Sequence, residues 1–263
     1  MILSKGSGIG FDYQQSGRAA YSLTPWYLSQ VDVEVVIGDG ITRIGDMTFR
    51  DCDNLAVLAI GRDVESIGKQ VFVGCTGIRS LTLPISFNPI GSNQNPYFKD
   101  TKSLEQVVFT PESPGAYSFD YSNDPDAGNY YRLTPWYLSK ANSPTVTIQE
   151  GVYSVGDYAF ASLDTLGSIV LPDRLWRIGS NAFYECSGLK TVTAPIDLDL
   201  DYYKSFEGCY NIAKFVFTKG VGGIGYVYSD DPDSYNYYQN SLMYHSRAFC
   251  QEVVFTDTVR TIG

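Results

Sequence analysis

Five cysteines, one histidine, two clusters of aspartates and 21 tyrosines are the groups in this 263-residue chain that could do chemistry. Cys52 and Cys75 stand 23 positions apart, as do Cys186 and Cys209. No C-x-x-C occurs, which leaves zinc without a thiolate pair at a usual spacing. Equal spacing puts each pair in the same slot of neighbouring structural units, where two readings are open. One is a ladder of buried thiols acting as small apolar residues. The other is a disulfide between adjacent units, which needs Cα atoms about 5 Å apart and suitably directed Cβ atoms. Cys250 follows Phe249 directly and fits neither spacing.

His245 is the only histidine, so a Ser-His-Asp nucleophile could be built around it alone. It stands where a sister segment has Leu138, and it reads as a loop residue. No G-x-x-x-x-G-K-[ST] phosphate loop occurs. The glycine run at 220–225 lacks the strand–turn–helix context of a dinucleotide fingerprint. The clusters Asp120, Asp124, Asp126 and Asp230, Asp231, Asp233 carry the carboxylates best placed for calcium, with Asp124, Asp126, Asp231 and Asp233 as weak ligand candidates. They fit no EF-hand loop, and Asp-Pro-Asp is a turn former, so turn chemistry is the preferred reading. Asp197, Asp199 and Asp201 alternate with leucines, as the solvated face of a strand would. No catalytic residue, resident metal or cofactor is expected.

The tyrosines concentrate in two segments. One holds Tyr117, Tyr121, Tyr130, Tyr131 and Tyr137; the other holds Tyr226, Tyr228, Tyr235, Tyr237 and Tyr238. Tyrosine offers contact area and a hydrogen-bonding tip at low entropic cost, which suits recognition surfaces. Tyr121, Tyr130, Tyr131, Tyr228, Tyr237 and Tyr238 are therefore the expected ligand contacts. Leu23, Trp26, Leu133 and Trp136 read instead as residues packing each insert onto its neighbours.

A short-period repeat positions all of these. The skeleton I-G-x-x-A-F-x-x-C-x-x-L-x-x-V runs from Ile178 through Phe183, Cys186 and Leu189 to Val192. It recurs at Ile44-Gly45 with Phe49 and Cys52, at Ile67-Gly68 with Phe72 and Cys75, and at Val155-Gly156 with Phe160. Gly45 to Gly68 and Gly156 to Gly179 are each 23 residues. Such a period means stacked coils, because one coil cannot bury its own apolar residues and a column of them can. Strands are expected at 33–37, 56–60, 80–83, 106–109, 145–148 and 190–193, all rich in β-branched residues. They should pair in parallel about 4.8 Å apart. The glycine marks a turn where a Cβ would be costly. Phe98 and Phe206 keep the phenylalanine slot in two coils whose Ile-Gly turn is altered.

The stretch from Leu166 to Cys186 resembles the signature of the BspA-like leucine-rich repeats, L-x-x-[VL]-x-L-P-x-x-[LV]-x-x-I-G-x-x-A-F-x-x-C, nearly position for position. The resemblance covers about 33–109 and 144–218, and the final stretch. It implies a right-handed leucine-rich-repeat solenoid with a parallel sheet of short strands. It also implies a bacterial, archaeal or protist surface protein used in adhesion.

A longer repeat overlies the short one. Leu23 to Leu133 is 110 residues and Gly156 to Gly263 is 107. The expectation is a single solenoid, 1–263, of three super-units at about 1–109, 110–218 and 219–263, the last truncated. Each opens on an aromatic insert. With 19 basic and 29 acidic residues the net charge is −10, which disfavours nucleic acid and anionic membranes as partners. No apolar run approaches the roughly 18 residues of a membrane span. The first residues show no signal-peptide core, and the chain stops within a repeat at Gly263. It is therefore expected to be a piece of a longer exported protein. The expected role is a binding or adhesion module for protein or glycan at the cell surface or in secretion, able to associate end to end. A spacer displaying other domains is the alternative, and a carbohydrate-active enzyme ranks behind both.

Overall fold

The computed structural model describes residues 2–3, 22, 24–92, 95–111, 118–121, 130–200, 204–219, 243–256 and 259. It divides into two compact units, 1–108 with 132–145 and 109–131 with 146–263. In both, short strands stack in parallel at the expected period.

In the first unit, Val33–Ile37 pairs with Leu55–Ile60, which pairs with Ser80–Pro84. Val36 faces Ala59 and Leu58 faces Leu81, each 23 positions on. A second, narrower column pairs Arg43–Ile44 with Ser66–Ile67. In the second unit Ile169, Val192, Phe215 and Val253 lie side by side on successive strands. Its narrow column joins Ser154–Val155, Arg177–Ile178 and Asp199–Leu200. Alternation decides which residues go inside: Val35, Leu58, Leu81, Val192 and Phe215 are all fully buried.

Between the two columns the chain returns through turns rather than helix. Phenylalanine fills the middle of six of the described returns. Phe49, Phe72 and Phe98 stack at 5.6 and 4.8 Å in the first unit. Phe160, Phe183 and Phe206 stack at 5.2 and 4.8 Å in the second. Phe98 and Phe206 thus hold their slots across irregular coils. Offset rings at this spacing add about 0.5–1.5 kcal/mol per pair beyond their burial.

Gly45, Gly68, Gly156 and Gly179 do not supply the unusual backbone. Positive φ falls two residues later, at Met47, Gln70, Tyr158 and Asn181, and at the equivalent Lys204 of a coil without the glycine, with φ between 55 and 64°. It recurs just before the cysteine slot, at Asp51, Gly74, Ser162, Glu185 and Gly208. Gly68 and Gly179 are glycine for a different reason. A Cβ on Gly68 would lie 2.4 Å from the Asp46 nitrogen, and one on Gly179 would lie 2.5 Å from the Asp157 nitrogen. The neighbouring coil occupies the space a side chain would need.

Each described insert ends in a one-turn helix, Pro25–Leu28 or Pro135–Leu138. Thr24 and Thr134 cap these helices by accepting the N–H of Tyr27 and Tyr137, and proline takes the first position. The helices deliver the insert tryptophans to the stack. Trp136 is 1% exposed. Trp26 sits 5.3 Å from Phe49 and donates its indole N–H to the Thr48 carbonyl at 2.7 Å.

Candidate functional site

The cysteines are free thiols, and four of the five are buried. They have a structural task. Cys75 donates its S–H to the Phe49 carbonyl at 2.9 Å, Cys186 to the Phe160 carbonyl at 3.1 Å and Cys209 to the Phe183 carbonyl at 3.0 Å. Every bond joins adjacent coils across 26 residues. Burial, with help from Asp51 and Asp53, pushes the Cys52 thiol up to about 12. Burial likewise raises Cys75 and Cys186 well above the usual thiol range. Thiols this reluctant to ionise are poor nucleophiles and poor metal ligands. The buried-ladder reading holds, and the disulfide reading does not. Cys250 is half-buried, with its sulfur 3.7 Å from the Glu252 carbonyl.

Asp120 belongs to the coil stack. Its Oδ1 accepts the N–H of Asp157 at 3.0 Å, and Asp157 in turn accepts the N–H of Ser180 at 2.9 Å. Asp46 does the same for Lys69 at 2.8 Å in the first unit. The segment 118–121 of the insert therefore occupies a coil position. The calcium candidates Asp124, Asp126, Asp231 and Asp233 lie outside the described residues. Among the described residues, no group of three or more His, Cys, Asp or Glu side chains is gathered to hold a metal.

The expected ligand tyrosines fare unevenly. Tyr121 is 3% exposed and Tyr131 is 6% exposed, which takes both rings off the surface. The physical reason is packing. Tyr121 lies edge-on to Phe119 at 5.0 Å, and Tyr131 stacks on Tyr158 at 5.8 Å. Burial, then the Asp120 charge, drives the Tyr121 phenol far above its usual range. The side chain of Tyr130 and all of Tyr228, Tyr237 and Tyr238 lie outside the described residues. His245 falls in a short turn, Tyr244–Ser246, and its side chain is likewise outside them.

The outward strand faces form the other candidate surface. In the second unit Ser168, Thr191, Lys214 and Glu252 make one row across the sheet. Val170, Thr193, Val216 and Val254 make the next. Lys214 and Glu252 pair at 2.9 Å, so the face is neutral in sum. In the first unit the outward residues are Glu34, Val36, Val57, Ala59, Ser80 and Thr82. Apart from Glu34 these are small or β-branched side chains on a hydrogen-bonded backbone, a stiff and shallow surface.

The chain matches the model of the BspA type leucine rich repeat region in six copies, over residues 29–124 and 136–229. It belongs to that family. Solved structures similar to this BspA-type repeat chain include a leucine-rich repeat protein from Bacteroides ovatus, with 15% identity and a TM-score of 0.37. The match covers 88% of this chain and 62% of that one. A leucine-rich repeat protein from Eubacterium ventriosum is 18% identical with a TM-score of 0.33, over 95% of this chain and 78% of that one. The pneumococcal vaccine antigen PcpA is 23% identical with a TM-score of 0.32, over 70% of this chain and 50% of that one. The BspA-type chain thus spans under two thirds of the Bacteroides ovatus and pneumococcal proteins. None of the curated proteins compared with it matches. No described helix is long and apolar enough to cross a membrane.

The phenylalanine slot, the cysteine slot and six of the strands are readable from the sequence, whereas Ser168–Val170, Lys214–Thr218 and Glu252–Phe255 lie outside the expected strands. The aspartate that follows the turn glycine is a ladder residue outside the candidates drawn from the sequence. Gly-Asp at 45–46 and 156–157 was the available signal.

Proposed function

We propose that this chain is a non-enzymatic binding module of a cell-surface or secreted protein, with protein or glycan as its ligand. The observation that carries the reading is the outward strand face. Its rows, one holding the paired Lys214 and Glu252 and the next Val170, Thr193, Val216 and Val254, repeat in register from coil to coil. Repetition lets weak contacts sum to useful avidity. The contacts proposed on the inserts are Tyr130, Tyr228, Tyr237 and Tyr238, while Tyr121 and Tyr131 serve packing. Family membership supports the surface or secreted location, as it supports the absence of catalysis.

End-to-end association of two copies belongs to the same reading. Val253 and Phe255 are 41 and 37% exposed, whereas their register partners Phe215 and Phe217 are 0 and 7% exposed. A spacer that displays other domains is the second reading, and the burial of Tyr121, Tyr131 and Trp136 favours it.

The test is binding to immobilised extracellular-matrix proteins and to a glycan panel. One variant carries Tyr130, Tyr237 and Tyr238 changed to Ser; Tyr131 stays because its ring is interior. A second carries Val170→Glu and Thr193→Glu. Saturable binding lost in either variant supports the module and places its contacts. Absence of binding by the unaltered chain overturns the module in favour of the spacer.

A further inference from the structure

The return side of the second unit carries a set of side chains that the first unit lacks. Tyr158, Asn181 and Lys204 take the same slot on three successive coils, where the first unit has Met47 and Gln70. Ser162 and Glu185 take the next left-handed slot, where the first unit has Asp51 and Gly74. Tyr131 covers this group from the insert. Its ring stacks on Tyr158 at 5.8 Å, and its hydroxyl lies 3.4 Å from the Ser162 hydroxyl. Ser162 spends its one proton on Glu185 Oε2 at 3.4 Å, which makes Tyr131 the donor to Ser162. Tyr184 stands next to Glu185 in the chain, and the neighbouring carboxylate raises its phenol above the usual range. Glu185 itself is exposed. Lys204 and Glu207 neutralise each other at 3.0 Å beside it.

We propose that Tyr158, Asn181, Tyr184 and Glu185 form a saccharide-binding platform, rimmed by Lys204 and Glu207. The inference deepens the binding-module reading and rests on it. Tyr184 and the face of Tyr158 turned away from Tyr131 are half-exposed, and flat apolar rings with polar edges match the C–H face and hydroxyl rim of a pyranose ring. The Glu185 carboxylate accepts from one hydroxyl, that of Ser162, and keeps lone pairs for charge-assisted bonds to a pair of sugar hydroxyls. The Asn181 side-chain amide adds a donor and an acceptor, on a residue whose main-chain carbonyl accepts the Tyr184 N–H at 3.0 Å. A few fixed polar groups on a mostly aromatic surface are what orient a small ligand. The cancelled Lys204 and Glu207 charges favour a neutral sugar over an anionic one.

The experiment titrates the whole chain with maltopentaose, cellopentaose, chitopentaose and lacto-N-neotetraose by calorimetry, alongside Tyr184→Ala and Glu185→Gln. Tyr210→Ala, an exposed tyrosine after the cysteine slot, is the control. Expected is binding of at least one oligosaccharide, weakened about tenfold or more by each of the first two changes and unaltered by the third, a loss on the order of 1.4 kcal/mol. Thermal unfolding checks that both variants fold. Undiminished binding in Tyr184→Ala and Glu185→Gln overturns the platform and leaves the module standing. Binding to matrix proteins with none to any of the four sugars overturns the ligand class. Binding to neither overturns both readings.

Discussion

Cys75 gives its thiol proton to the main-chain carbonyl of Phe49 on the preceding coil at 2.9 Å. That carbonyl already accepts the N–H of Cys52 at 3.2 Å, so both its lone pairs are used. The Phe183 carbonyl is shared in the same way between the Cys186 N–H and the Cys209 thiol. A cysteine in this slot is small enough for the stack and brings a donor that alanine lacks.

Cys186→Ala should therefore destabilise the second unit by about 1–3 kcal/mol, from a small cavity and a buried carbonyl that loses one partner. Urea titration checks this. A change under a few tenths of a kcal/mol would mean the thiol contributes only volume.

The thiols also set an alkaline limit. Cys52 has a folded pKa near 12 against an ordinary 9.0. A raised folded pKa stabilises below the unfolded value and loses that contribution as pH climbs through the folded one. Stability should hold to about pH 9 and decline from there towards pH 12, and the decline should soften in Cys52→Ala. In native protein at pH 8, Ellman's reagent should label Cys250 rapidly and the other four only after unfolding.

Backbone conformation yields a pair of opposite predictions. Met47 holds φ at 57°, where an L side chain costs about 1–2 kcal/mol. Met47→Gly should raise stability by roughly 0.5–1 kcal/mol, less than that figure because glycine loses more chain entropy on folding. Gly179→Ala should lower it by about 3 kcal/mol, since the new methyl would meet backbone 2.5 Å away. Melting of both variants against the parent chain tests the pair. Equal signs would refute the division of labour between the two positions.

These two residues also show what the sequence conceals. The 23-residue period, the phenylalanine column and six of the strands, though not Lys214–Thr218 or Glu252–Phe255, were legible, because burial enforces apolar residues at fixed spacing. The strand expected at 33–37 is Val33–Ile37 as observed. The narrow columns, such as Arg43–Ile44 beside Ser66–Ile67, were not, since two residues cannot display alternation. Left-handed positions were hidden because methionine, glutamine, tyrosine, asparagine and lysine occupy them in place of glycine. Tyr121 and Tyr131 read as surface contacts because composition reports what a segment contains and not which side of it meets the coils.

Asp120 offers the sharpest separation between metal chemistry and ladder chemistry. Its carboxylate accepts the Asp157 N–H at 3.0 Å and so ties the insert to the first coil that follows it. Asp120→Ala strips that acceptor from a half-buried donor and should cost about 1–2 kcal/mol. Asp120→Asn retains a carbonyl oxygen at the same place and should cost less than half as much. A calcium ligand would behave differently: both changes would abolish binding, and EDTA would destabilise the parent protein as much as either substitution. The expected result is that melting is insensitive to EDTA and to millimolar calcium, with alanine alone clearly destabilising. A calcium-dependent rise in melting temperature that disappears in Asp120→Asn would move this aspartate from the stack to a metal site.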